Sequence, residues 1–167
     1  MGNCLQKTTQ CYGACCYPCN QYWDPELLAS SKDDTEWSLT GEVFLAKVVS
    51  VYDGDTVRVK FRIKYGRPKQ FVVRLLGYDA PELKPKKNSQ YREAEKKAAI
   101  AARDALAEKI GNKMVWLTCG GWDKFRGRIL GSVVYKGQNI SDWMIQQGHG
   151  VKYDGGTKKP FTVGSSK

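Results

Sequence analysis

Residues 48–64 read VVSVYDGDTVRVKFRIK, a stretch that predicts two β-strands joined by a tight acidic turn. In its second half, apolar and basic side chains alternate strictly, which is the period of a strand with one buried face. Its first half completes an apolar run, residues 42–51, that is rich in valine. Between the two halves, Asp53 and Asp55 flank a glycine, so closely spaced negative charges interrupt segments that otherwise favour a sheet.

Similar patterning continues along the chain and predicts three strands, a helix, two strands and a second helix. Consecutive antiparallel strands in this number close most economically into a small barrel, with a helix across one end. We therefore predict an α+β fold that is mainly β, a five-stranded OB-type Greek-key barrel with flanking helices. The strands are expected over residues 42–51, 56–64, 70–78, 113–118 and 128–135, and the helices over residues 89–110 and 139–148.

Charge is distributed unevenly along the chain. The 167 residues include 27 basic and 17 acidic side chains, a formal net charge of +10. Residues 1–40 hold two basic and five acidic side chains, so the remainder carries a net charge of +13. A domain this basic commonly binds nucleic acid or an anionic membrane, although a basic domain without such a partner is the plain alternative. We predict a flexible Cys-rich tail over 1–40, one domain over 41–155 and a loose tail over 156–167.

Five of the six cysteines lie within the first 19 residues, so the predicted domain does not depend on disulfide bridges. The tail begins MGNC, in which Gly2 and Cys4 are typical of N-myristoylation and palmitoylation. Two acyl chains would anchor the protein on the cytoplasmic face of a membrane, and without them we expect an intracellular soluble protein. Metal or redox chemistry at the crowded thiols of CYGACCYPC, or no special role, are the alternatives. With no signal-peptide core and no apolar run near 18 residues, we expect neither secretion nor a transmembrane helix.

A second acidic cluster, in RLLGYDAPE at residues 74–82, suggests that the acidic turn is part of a cation-binding site. Asp55 precedes one predicted strand and Asp79 follows another, so their carboxylates can converge if those strands are neighbours. Hard oxygen ligands in a loose arrangement suit Ca²⁺, and Glu82 can face the same place because the chain bends at Pro81. Ordinary turn chemistry explains DGDT better when that motif is taken alone.

Two arginines stand out beside these carboxylates. Arg74 lies mid-strand among valines and leucines, where a charge costs free energy unless it is paired or faces a cavity. Its position is compatible with a salt bridge to an aspartate or with a phosphate clamp, since a guanidinium donates two parallel hydrogen bonds to phosphate oxygens. Arg128, in DKFRGR, offers a second clamp with Lys124 close by.

Together these motifs resemble the staphylococcal nuclease-like (thermonuclease) family over residues 43–154. The segments VVSVYDGDTVRV, VRLLGYDAPE, EAEKKAAIAARDAL, DKFRGRILGSVVY and QGHGVKY occur in the order found in that family. The resemblance implies an OB-type barrel and Ca²⁺-dependent endonucleolytic cleavage of DNA and RNA with little sequence specificity, leaving 3′-phosphates. One departure is Arg126, which lengthens the family's usual DKYGR segment by one residue.

The resemblance also implies roles for individual positions. The implied calcium site consists of the carboxylates of Asp55 and Asp79 and the carbonyl of Ala80, with Asp53 as support. The implied catalytic residues are Arg74, Glu82 and Arg128, and those that contact substrate phosphates are Lys124 and Tyr153.

Two other functions stay open from the sequence. One is a nucleic-acid-binding or protein-binding module of the same fold that has lost catalysis. The other is a membrane-targeting protein whose barrel is only a scaffold. Retention of all five reacting side chains favours the nuclease. No obligate protein partner is evident, and we expect a monomer.

Overall fold

The computed structural model describes residues 29–32, 38–64, 66–85, 90–124 and 127–156. The strands in these ranges are β1 (Val43–Val51), β2 (Thr56–Phe61), β3 (Lys69–Leu75), β4 (Gly77–Asp79), β5 (Met114–Trp122), β6 (Ile129–Tyr135), β7 (Gln138–Asn139) and β8 (Val151–Tyr153). The helices are α1 (Arg92–Ile110) and α2 (Ile140–Gln146).

Five of these strands close into a barrel. Their order is β3-β2-β1-β5-β6, and each neighbouring pair in that order is antiparallel. A parallel pairing of β3 with β6, from Val73 opposite Ile129 to Leu75 opposite Gly131, completes the circle. The structure therefore confirms the predicted five-stranded OB-type barrel, mainly β with helices beside it.

Alternate side chains of the strands fill the interior of the barrel. In β2 the buried residues include Val57, Val59 and Phe61, while the basic residues between them face solvent. Phe61 stacks on both Phe44 and Phe71, with ring centroids 4.4 Å apart in each pair. The alternation predicted for this strand is thus present, although β2 ends at Phe61 and not at residue 64.

The third predicted strand is interrupted. β3 ends at Leu75 and β4 begins at Gly77, whose φ of +88° is a conformation that favours glycine. The chain bends at this glycine, and β4 pairs with β8 outside the barrel. β7 and β8 are too short to carry an alternating pattern, so the sequence did not predict them, and it predicted β4 only as the end of the third strand.

The two helices pack against different strands: α1 contacts β1, and α2 contacts β4, β6 and β7. α1 begins at Arg92, three residues later than predicted, and contacts β1. α2 is shorter than predicted and is capped by Asn139, whose side-chain oxygen accepts hydrogen bonds from the backbone N–H groups of Ser141 and Asp142. The Ser141 hydroxyl donates to the carbonyl of Leu76 at 2.5 Å, so α2 is tied to the bend between β3 and β4.

The core of the barrel begins slightly earlier than the predicted domain boundary. Leu39 is 1% exposed and packs in the core, and the compact unit that contains the barrel starts at Ser38. Residues 41 and 42 hydrogen-bond through their backbones to Cys119 of β5. The predicted tails, 1–40 and 156–167, lie almost entirely outside the described residues and stay predictions.

Candidate active site

Arg74 is the centre of the candidate site, where it pairs with both predicted calcium-binding aspartates. Its Nη1 lies 2.5 Å from Asp55 Oδ2, and its Nη2 lies 2.5 Å from Asp79 Oδ1. β2 and β3 pair Thr56 with Arg74, and the Leu75 N–H donates to the Asp55 carbonyl at 2.8 Å. The sheet register therefore sets the acidic turn beside β3. Of the two interpretations of Arg74, the salt bridge is present, and the residue also lines a cavity.

Asp55 is held in a buried position, with 4% of its surface exposed. The Thr56 hydroxyl donates to Asp55 Oδ1 at 2.8 Å, and the Arg74 guanidinium contacts Oδ2. Burial raises the pKa of Asp55 to about 7, an effect that Arg74 opposes and the neighbouring Asp53 carboxylate reinforces. This carboxyl group therefore holds a proton more tightly than an ordinary aspartate does, and a cation that binds it would have to displace that proton.

The acidic turn owes its shape to the glycine at its centre. A Cβ added to Gly54 would lie 2.6 Å from the Cβ of Ala80 and 3.0 Å from that of Ala102 in α1. Glycine thus allows the turn to pack directly against the loop after β4 and against the helix. Within the turn, Asp53 Oδ1 accepts a hydrogen bond from the Asp55 N–H at 3.2 Å, which supports the position of that carboxylate.

The second acidic cluster lies at the end of β4. Asp79 is the last residue of that strand, and its carbonyl would be only 2.6 Å from a Cβ added to Gly150, so the chain before β8 approaches it closely. Ala80 is buried directly after it. Glu82 is exposed, and its backbone N–H lies 3.4 Å from Glu95 Oε1 of α1. The bend after β4 therefore presents Glu82 at the surface, with Asp79 turned back toward Arg74.

Arg128 is positioned by a residue that the sequence analysis missed. Its Nε donates to Asp123 Oδ2 at 3.0 Å. Asp123 Oδ1 accepts hydrogen bonds from the backbone N–H groups of Gly127 and Arg128, at 2.9 and 3.3 Å. Asp123 thus closes the loop between β5 and β6 and orients the arginine. The sequence did contain a signal for this role. Asp123 is the first residue of the loop DKFRGR, and an aspartate in that position commonly accepts hydrogen bonds from backbone N–H groups of its own loop.

These groups surround one cavity with a volume of about 880 Å³. Its charged and tyrosine side chains are Asp53, Asp55, Arg74, Tyr78, Glu82, Asp123, Lys124, Arg128, Tyr153 and Asp154. Lys124 lines the cavity despite the inserted residue 126, which lies outside the described residues. Asp79 is not part of the lining and reaches the site through its ion pair with Arg74. The structure therefore brings the predicted site residues to one place.

The donor set of this site fits a hard cation. Asp55 and Asp79 direct two carboxylates at one guanidinium, and carboxylate oxygens are ligands that suit Ca²⁺. The described residues contain no group of three or more His, Cys, Asp and Glu side chains placed to hold a metal, so further ligands would be a backbone carbonyl, such as that of Ala80, and water. The buried Tyr78 hydroxyl, which has no hydrogen-bond partner in the described part of the chain, supplies a further polar group beside the carboxylates.

The family of the chain follows from comparison with known sequences. A sequence model described as Staphylococcal nuclease homologue matches residues 72–162, which is more than half of the chain. The chain belongs to the staphylococcal nuclease family. For this family member, the matched span includes Arg74, Asp79, Glu82 and Arg128 but begins after Asp55. Asp55 lies outside the matched residues, and it is the structure that shows Asp55 beside Arg74.

Two rice (Oryza sativa subsp. japonica) proteins are similar to this staphylococcal nuclease family member over most of its length. The probable staphylococcal-like nuclease CAN3 is 27% identical over 142 residues, which cover 85% of this chain and 29% of that protein. The probable staphylococcal-like nuclease CAN2 is also 27% identical over 142 residues, which cover 30% of that protein. The chain thus spans less than a third of either relative. Membership of the family agrees with nuclease chemistry on nucleic acid.

The predicted acylation sites fall outside the part of the chain that the structure describes. Gly2 and Cys4 both lie in residues 1–28. Membrane association through the tail therefore stays a prediction. Among the described residues, no helix combines the length and the apolar character needed to cross a bilayer.

Proposed function

We propose that this staphylococcal nuclease family member is a Ca²⁺-dependent endonuclease that hydrolyses DNA and RNA with little sequence specificity. The observation that carries the proposal is the ion-paired cluster of Asp55, Arg74 and Asp79, beside a cavity that Glu82 and Arg128 also line. This hydrolysis requires three kinds of group: carboxylates that bind a cation, guanidinium groups that bind the phosphate, and a further carboxylate that accepts a proton.

Binding of the phosphodiester is the task of the two arginines. The ion pairs of Arg74 engage both of its terminal nitrogens, but a guanidinium has five N–H groups and keeps donors for phosphate oxygens. Arg128 lines the cavity, is 38% exposed at its side chain and is held through Nε by Asp123, so its terminal nitrogens keep N–H donors for a phosphate. Together they stabilise the additional negative charge when phosphorus becomes five-coordinate.

Glu82 is the proposed general base. It accepts a proton from a water molecule whose oxygen forms a bond to phosphorus, while the bond from phosphorus to the 5′-oxygen breaks. The departing 5′-oxygen takes a proton from solvent, and the other fragment ends in a 3′-phosphate. Asp55 and Asp79, with the Ala80 carbonyl, would hold Ca²⁺, which when bound polarises the phosphate and orients water.

Attraction to the substrate comes from the charge of the whole domain. Residues 41–167 carry a net charge of +13, and a basic surface binds the nucleic-acid backbone without regard to sequence. Lys124 and Tyr153 line the cavity and would contact phosphates on either side of the scissile bond. Since all these residues belong to one chain, we propose that the enzyme acts as a monomer.

A digestion assay with the purified full chain tests the proposal. Supercoiled plasmid and RNA should both be degraded in Ca²⁺, and EGTA should stop the reaction. Products with 3′-phosphates should serve as polymerase primers only after phosphatase treatment. Binding of nucleic acid in Ca²⁺ without any cleavage would instead identify a non-catalytic module.

The role of Glu82 has a matched control on α1. Glu82→Gln keeps the shape of the side chain but removes the base, and we expect turnover to fall at least about 100-fold, a typical general-base effect. Glu108→Gln changes an exposed glutamate on the helix and should leave turnover unchanged. Equal activity of the two variants would remove Glu82 from the mechanism.

For location, we propose that Gly2 and Cys4 carry a myristoyl and a palmitoyl chain that hold the enzyme on the cytoplasmic face of a membrane. The support is the sequence MGNC with further cysteines close behind it. One acyl chain binds only reversibly, and two give a stable anchor.

A further inference from the structure

The outer surface of the barrel carries an apolar cluster that the nuclease chemistry does not use. Val43 and Leu45 of β1 are 55% and 50% exposed, and Met114 and Trp116 of β5 are 50% and 55% exposed. The register places Leu45 directly opposite Trp116, and side chains opposite each other on neighbouring strands are in lateral contact. We name these four residues the outer patch. A contiguous exposed apolar surface of this kind marks an interaction site more often than isolated exposed side chains do.

Basic side chains border the outer patch. Lys47 of β1 lies opposite Met114 on one side and opposite Lys60 of β2 on the other. Lys113 precedes β5, Lys136 follows β6, and all four lysines are exposed. None of them forms a salt bridge with another described residue. Because like charges placed opposite each other on paired strands repel, an anionic partner would be favoured at this border.

We propose that the outer patch and its lysines dock on an anionic lipid surface. Aliphatic side chains and a tryptophan enter the boundary between headgroups and acyl chains, while lysines at the border attract acidic headgroups. The composition of the patch favours lipid over nucleic acid, because single-stranded nucleic acid is bound on several aromatic platforms. Three of the four patch residues are aliphatic or thioether side chains, which offer no such platform.

The position of the outer patch determines how a docked protein presents its candidate catalytic cavity relative to the lipid. In the closed order β3-β2-β1-β5-β6, the strand across the barrel from the β1–β5 pair is β3. Arg74 lies on β3, and none of the four outer-patch residues lines the candidate catalytic cavity, so the cavity and the outer patch are separate surfaces of the barrel. Docking through the outer patch therefore leaves the cavity open to nucleic acid in solution. The proposal does not rest on nuclease activity, since lipid binding is measured without substrate.

Vesicle co-sedimentation of the full chain tests the proposal. Protein made in bacteria, where the tail is not acylated, should bind vesicles containing phosphatidylserine and bind pure phosphatidylcholine vesicles much more weakly. Leu45→Ser with Trp116→Ser should weaken binding at least about tenfold, because two inserted apolar side chains are lost. Lys47→Glu with Lys60→Glu should also weaken it at least about tenfold through lost headgroup attraction.

Matched controls lie on α1, away from the outer patch. Ile100→Ser removes an exposed apolar side chain, and Lys96→Glu with Lys97→Glu makes the same change in net charge as the patch variant. Both controls should bind vesicles as the unmodified chain does. In addition, lipids brominated near the headgroup should quench part of the tryptophan emission, and Trp116→Phe should abolish that part.

Three results would overturn the proposal. The first is equal vesicle binding by the outer-patch variants and their controls. The second is a loss of nucleic-acid affinity in the patch variants with lipid binding intact, which would assign the patch to nucleic acid. The third is a dimer of the unmodified chain that Leu45→Ser and Trp116→Ser convert to monomer without changing lipid binding, which would make the patch an interface between copies.

Discussion

At the scale of single residues, one guanidinium organises the candidate site. Asp55 is buried, and a buried carboxylate is costly unless it is paired. Arg74 offsets that cost and, through its other terminal nitrogen, also fixes Asp79. The two carboxylates are thus held close together before any cation or substrate binds. The same arginine is the proposed phosphate ligand, so its charge and its forked shape both matter.

Replacement of Arg74 by lysine separates charge from shape. Arg74→Lys keeps the positive charge but contacts Asp55 and Asp79 from a single nitrogen, so it loses the forked geometry. We expect turnover to fall at least about 100-fold, a magnitude typical of lost transition-state donors. The matched control is Arg103→Lys, because Arg103 is a partly exposed α1 residue paired only with its neighbour Asp104 in the described structure. In a plasmid-nicking assay, Arg74→Lys should lose activity and Arg103→Lys should keep it. Circular dichroism should show that both variants are folded.

The raised pKa of Asp55 gives a prediction about pH. Its folded-state pKa of about 7 exceeds the ordinary value of 3.8, so the folded chain holds this proton more tightly than the unfolded chain. The metal-free protein should therefore lose stability as pH rises from about 4 to about 7. Ca²⁺ must displace the proton, so its affinity should rise roughly tenfold per pH unit up to about 7 and then level off.

Calorimetric Ca²⁺ titrations at pH 5.5, 6.5 and 8 measure this dependence. Asp55→Asn should weaken Ca²⁺ binding and should abolish the pH dependence of the affinity. Asp104→Asn is the control and should preserve that pH dependence. A calcium affinity that does not change between pH 5.5 and 6.5 in the unmodified chain would exclude Asp55 as the ligand that exchanges the proton.

At the scale of elements, the sequence predicted the barrel strands better than the connections that complete the site. Alternation located β2 and the strand order implied a barrel, because burial on one face leaves a period of two. The bend at Gly77 and the pairing of β4 with β8 depend on contacts between distant segments, which no local pattern reveals. Asp123 was missed for a different reason: it lies only five residues from Arg128, but an Asp in a loop is common turn chemistry and does not by itself indicate an ion pair with a site arginine. Motif resemblance located the other site residues, and the structure shows how they converge.

Gly54 joins two elements at the site and gives a prediction at this scale. Gly54→Ala would place a methyl group 2.6 Å from the Cβ of Ala80 and 3.0 Å from that of Ala102. We expect a loss of about 1–3 kcal/mol in the free energy of unfolding, as for overpacked sites, because neither neighbour is a flexible side chain. Displacement of the acidic turn should also lower the affinity for Ca²⁺.

Gly66→Ala is the matched control for this substitution. Among the described residues, a Cβ at Gly66 would meet only the Ile63 carbonyl, at 3.4 Å, so stability should change little. Urea unfolding of both variants, with and without Ca²⁺, measures the difference. Equal stability of Gly54→Ala and Gly66→Ala would show that the turn can move away from α1 without cost.

At the scale of the whole molecule, two independent features concern membranes. One is the proposed acylated tail at Gly2 and Cys4, and the other is the outer patch with its lysines on the barrel. Acyl chains hold through hydrophobic burial, which salt does not weaken, whereas headgroup attraction is screened within about 10 Å at 0.1 M salt. Salt therefore distinguishes the two contributions in a single fractionation.

Removal of the acylation site should change how membrane binding responds to salt. In eukaryotic cells, the unmodified chain should stay in the membrane fraction after a wash at high salt, because two acyl chains anchor it stably. Gly2→Ala cannot be myristoylated, so the fraction left on membranes should be small and should be released by the same wash. Cys4→Ser should be intermediate, since the single remaining chain binds reversibly. An unmodified chain that is wholly extracted by salt, with no mass increase on its N-terminal peptide, would refute acylation while leaving the lipid-binding role of the barrel and the nuclease proposal to their own tests.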